Sequence, residues 1–89
     1  MVTITAAFME LLSAYYMCDY IASTRVVSQA EAKMCSTIYT NIKQEISGLN
    51  PRDPKQNVEA YLIWKQWEKD NADLVSDLKN QVKKKLDTN

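Results

Sequence analysis

Hydrophobic residues recur along this chain at helical spacing in three blocks, separated by one short polar stretch and one proline-bearing stretch. In the first block Ile4, Phe8, Leu11, Tyr15, Cys18 and Ala22 fall on one stripe, widened by Ala7, Leu12, Ala14 and Ile21. That spacing predicts an amphipathic helix over residues 3–24. Its reverse side carries Met9, Tyr16 and Tyr20, with Glu10 and Asp19 the only charges on the helix. Aromatic residues repeated on an outer face mark a contact surface.

Ser23–Val27 interrupts the pattern, and Ser28-Gln29-Ala30-Glu31 then supplies an S-x-x-E capping box for a second helix over 29–47. Cys35, Ile38, Tyr39, Ile42, Ile46 and Leu49 form its inward stripe, and Gly48 suits the left-handed position that ends a helix. A turn near residue 26 makes the two helices an antiparallel hairpin in which Leu11 lies level with Ile42, Tyr15 with Ile38, and Cys18 with Cys35.

The strongest breaker is Leu49-Asn50-Pro51-Arg52-Asp53-Pro54, where Asp53 can cap a third helix and Pro54 needs no amide donor at its first position. Ala60, Ile63, Trp64, Trp67, Leu74, Val75, Leu78, Val82 and Leu86 define the third stripe, while Val58 and Leu62 project to the other side. With no Gly or Pro inside it, this helix is expected to run unbroken over 54–86, about 50 Å against about 30 Å for each earlier helix. The alternative is a break at Lys69-Asp70-Asn71-Ala72-Asp73, after which the last segment folds over helix one. Continuity leaves Val75, Leu78, Val82 and Leu86 projecting past the hairpin as an apolar seam, with Asn71 on the same stripe as a polar residue able to fix register. A seam left in water forgoes roughly 1.5–3 kcal/mol per large side chain, so it calls for a partner.

The composition fixes the class around this pattern. One Gly and two Pro in 89 residues, with 46% hydrophobic residues, indicate one all-α domain. The expected fold is a three-helix antiparallel bundle with a long C-terminal helix extending past the N-terminal hairpin. Eleven basic and eleven acidic residues cancel, so no overall field draws the chain to nucleic acid or anionic membrane. Glu10 and Asp19 cut the apolar N-terminal region into runs too short to span a bilayer, and no basic segment precedes them, which reads as a cytoplasmic chain with no membrane span. Two cysteines without histidine cannot complete a zinc site within one chain, and the expectation is two reduced, buried thiols.

Candidate chemistry changes this picture little. Without histidine, acid–base work would fall to carboxylates, cysteine or lysine. Asp70, Asp73 and Asp77 form an acidic row, but on a solvated helix face rather than in a loop that supplies carbonyl ligands. Lys79, Lys83, Lys84 and Lys85 complement a helix C-terminus, which accounts for them without nucleic acid. No catalytic residue, cofactor site or metal site is assigned. The expected function is a non-enzymatic protein–protein interaction module, such as a small regulator, adaptor, inhibitor or chaperone, binding itself or another protein. Its contacts are expected at Asn71, Val75, Leu78, Val82 and Leu86 and at Met9, Tyr16 and Tyr20. The second reading is a structural subunit of a larger assembly, such as a virion or a secretion filament.

Overall fold

Three side-chain caps and one left-handed glycine set most helix boundaries in the computed structural model, which describes residues 4–87. Helix α1, Ala6–Thr24, starts where the Thr5 hydroxyl accepts from the Phe8 amide at 3.1 Å. The expected start at residue 3 lies outside the described residues. Helix α2, Gln29–Ser47, opens with the full capping box: Ser28 Oγ accepts from the Glu31 amide at 3.1 Å and Glu31 Oε1 from the Ser28 amide at 3.0 Å. It ends at Gly48, whose φ of 72° lies in the region that only glycine adopts freely. Helix α3, Pro54–Asp70, begins where Asp53 Oδ1 accepts from the Lys55 amide at 2.9 Å.

The described residues are all-α, with four helices and no strand. The expected unbroken third helix is corrected by a break at Asn71, after which α4 spans Ala72–Asp87. Asn71 sits at φ −119° and ψ 36°, off helical geometry, and caps α3. Its side-chain amide and its backbone N–H both donate to the Trp67 carbonyl, at 2.9 and 3.0 Å. This is how asparagine competes with the helical ladder, and Asp70 and Asp73 beside it are also weak helix formers. Packing supplies the decisive gain. The bend lays α4 along α1, so its apolar stripe is covered by this chain instead of projecting into water.

Helix α1 therefore lies between α2 and α4, and α3 packs on α2. Contacts that pair Tyr16 with Lys79 and Tyr20 with Asp87 ascend both helices together, so α4 runs in the same sense as α1. Phe8, Leu12 and Tyr16 are the buried residues of α1, rotating its inner face from the expected stripe and leaving Ile4 half exposed. Trp64, fully buried, meets Tyr15, Tyr39 and Tyr61 edge to face at 4.9, 5.0 and 6.4 Å between ring centres. Offset and edge contacts of this kind add to the burial of the rings themselves.

The cysteines are also corrected: Cys18 and Cys35 are bridged rather than reduced. The antiparallel register puts them level, and their α-carbons are 5.8 Å apart, inside the range a disulfide spans. The bridge ties α1 to α2 about two turns from the connection between them.

Candidate interaction surfaces

The residues expected to face a partner lie largely against one another. Val75, Leu78 and Val82 are buried to 7%, 3% and 5% exposure, and Leu86 packs against the same core. From the opposite side come Met9, Tyr16 and Tyr20 of α1, with Tyr16 only 2% exposed. The apolar seam of the C-terminal segment and the outer aromatic face of α1 thus cover each other. Asn71, expected to fix register in that seam, is the residue that breaks the helix.

Polar contacts fasten this junction. Tyr16 Oη donates to Glu68 Oε2 at 2.7 Å, while Lys65 Nζ holds the other oxygen of Glu68 at 3.0 Å. Burial, and then the bond to Glu68, push the Tyr16 phenol well above its ordinary value. Lys79 Nζ stands 5.5 Å from the centre of the Tyr16 ring, and Tyr20 Oη donates to Asp87 Oδ1 at 2.6 Å. Tyr15 is raised as well, first by burial and then by the charges of Asp19 and Glu68.

Two apolar surfaces remain open. The first is a ridge on α3, the helix with no neighbour on its far side: Val58 is 63% exposed and Leu62 59%, flanked by Tyr61 and Ile63. Val58 and Leu62 project off the inward stripe of the sequence, which is the signal that finds them. The second is a groove between α1 and α2, about 240 Å³, walled by Ala14, Met17, Ile21, Met34, Ile38 and the disulfide. Sequence reasoning missed it, because Ala14, Cys18, Ile21, Cys35 and Ile38 fell on the inward stripes and Met17 and Met34 on neither stripe.

No family model, characterised protein or solved structure matches this chain. The surfaces must therefore be read from their own chemistry.

Charged residues round these surfaces are mostly unburied. Asp70, Asp73 and Asp77 are exposed, and no group of described histidine, cysteine or acidic residues is arranged to hold a metal ion. Glu31 is gripped by both guanidinium nitrogens of Arg25, at 3.1 and 2.7 Å. That contact, with the bond from the Ser28 backbone, lowers its carboxyl to about 2. Lys43 is buried beneath the ridge, where its ammonium donates to Asn57 Oδ1 at 2.6 Å over the Tyr39 ring; burial lowers its pKa. No described helix is long and apolar enough to cross a membrane. The described residues thus leave two apolar surfaces open, the ridge on α3 and the groove between α1 and α2.

Proposed function

We propose that this protein is a non-enzymatic helical interaction module whose contact surface is the outer face of α3. The carrying observation is the exposure of Val58 and Leu62, one helical turn apart on the face of α3 turned away from α2 and the core. The C-terminal residues Val75, Leu78, Val82 and Leu86 and the α1 residues Met9, Tyr16 and Tyr20 act as the frame that holds this surface. Asn71 serves the same frame by turning α4 onto α1. The Cys18–Cys35 bridge favours an oxidising compartment over the reducing cytoplasm, since thiols facing glutathione stay reduced.

Affinity capture with the immobilised chain and with its Leu62→Asp variant tests this reading. The wild type should retain protein partners, copies of itself included, that the variant loses. Identical retention by both would overturn it.

A further inference from the structure

The ridge on α3 and the groove between α1 and α2 carry the same spacing. Along the ridge Val58 is followed by Leu62 four residues on and by Lys69 seven further. On α2 Met34, Ile38 and Glu45 repeat those steps, and on α1 Ile21, Met17 and Glu10 repeat them in the reverse direction. One helix laid in the groove, parallel to α2 and antiparallel to α1, therefore brings like to like. With Leu62 between Ile38 and Met17, Val58 falls between Met34 and Ile21. Lys69, about 10.5 Å along the axis from Leu62, reaches the level of Glu10 and Glu45.

The same register continues past the apolar centre. Seven residues before Leu62 stands Lys55, and seven before Ile38 stands Glu31, whose carboxylate Arg25 already holds; four after Leu62, Gln66 comes level with Ile42 of α2 and Ser13 of α1. The ridge residues Lys55, Val58, Leu62, Gln66 and Lys69 are all exposed, as are Met34 of the groove and Glu10 and Glu45, which lie two turns beyond Met17 and Ile38. The disulfide holds the two walls of the groove in fixed register, within about half a turn of the alignment this docking uses. Methionines at its mouth, Met17 and Met34, can repack round an incoming aliphatic side chain.

We propose that the occupant of the groove is a second copy of this chain, inserting the outer face of its α3 between α1 and α2. The proposal rests on the reading of α3 as the contact surface and adds the receiving site and the partner. Ridge and groove are different surfaces, so each copy offers both, and the contact can propagate from copy to copy or close into a ring.

Sedimentation velocity on the wild type, on Met34→Asp, on Leu62→Asp and on an equimolar mixture of the two variants tests it. Both substitutions are at exposed positions, 62% and 59%, and unchanged circular dichroism verifies folding. The wild type should assemble with rising concentration, and each variant alone should associate at least about tenfold more weakly, as loss of a central apolar anchor implies. The mixture should recover a one-to-one dimer, since one variant keeps an intact ridge and the other an intact groove. A charge exchange within one chain, Glu45→Lys with Lys69→Glu, should restore part of the association that either change alone removes.

A monomeric wild type at all concentrations, or a mixture that stays monomeric while the wild type assembles, overturns self-docking. Variants that assemble like the wild type overturn it too. In the first case, partners lost on Leu62→Asp in the capture experiment would leave the broader reading standing, so the two failures are separable.

Discussion

Removing the bridge between Cys18 and Cys35 should cost this protein a large share of its stability. The two residues are 17 apart, and closing a loop of that size in the unfolded chain restricts it by about 3 kcal/mol at 25 °C. For a domain of this size that corresponds to a drop of roughly 12–24 °C in melting temperature. The assay is urea denaturation of the oxidised protein and of a Cys18→Ala/Cys35→Ala double variant, followed by helical circular dichroism. The midpoint should fall, and the slope should rise, because the unfolded chain without its cross-link exposes more surface. The effect should be greatest in the N-terminal hairpin, since only α1 and α2 are tied. A loss below about 1 kcal/mol would refute the reasoning, implying that the aromatic core already restricts the hairpin as tightly as the covalent link.

Three further outcomes follow from the core and its margin. Leu78→Ala, at 3% exposure between α4 and α1, should cost about 2–5 kcal/mol in denaturant melts, against less than about 0.5 for the neighbouring exposed Asp77→Ala. Tyr16→Phe strips a partly buried carboxylate of one donor, leaving Glu68 with Lys65 alone, and should cost about 1–3 kcal/mol by the same assay. The phenols of Tyr15 and Tyr16 are raised above 10.0 in the folded state, so their contribution is complete below the unfolded tyrosine value and is lost as pH rises above it. Denaturant melts should show lower stability at about pH 11 than at about pH 9; tyrosinate absorbance from these two residues near pH 10, with native circular dichroism intact, would contradict this.

Local chemistry made most boundaries legible in the sequence. Ser28 with Glu31, Gly48, and Asp53 with Pro54 each stand where their capping role requires, and the antiparallel register alone sets Cys18 level with Cys35. Whether those thiols join was not legible, because helices that face each other span a range of separations and only the actual 5.8 Å admits the bond. The break at Asn71 was the alternative to an unbroken helix rather than the favoured reading, for a different reason. A single asparagine between aspartates weakens a helix by little, and what tips the balance lies about fifty residues away, on the outer face of α1. Two surfaces each lacked a cover when read separately: the seam from Val75 to Leu86, and the row of Met9, Tyr16 and Tyr20. Their spacing contained the answer, since an apolar stripe and an apolar face in the same short chain can serve as each other's partner. Once they are joined, Val58 and Leu62 are the exposed apolar pair on α3, beside the isolated Ile4 and Val26, and Met17 and Met34 mark the groove.

A dilution series of the isotopically labelled protein followed by amide chemical shifts tests the central claim most directly. The account predicts that shifts moving with concentration cluster in residues 55–69 and on the groove-facing positions of α1 and α2, while Val75–Leu86 stays still. Movement concentrated in Val75–Leu86 instead would mean that the C-terminal seam meets the partner and that α4 does not stay on α1.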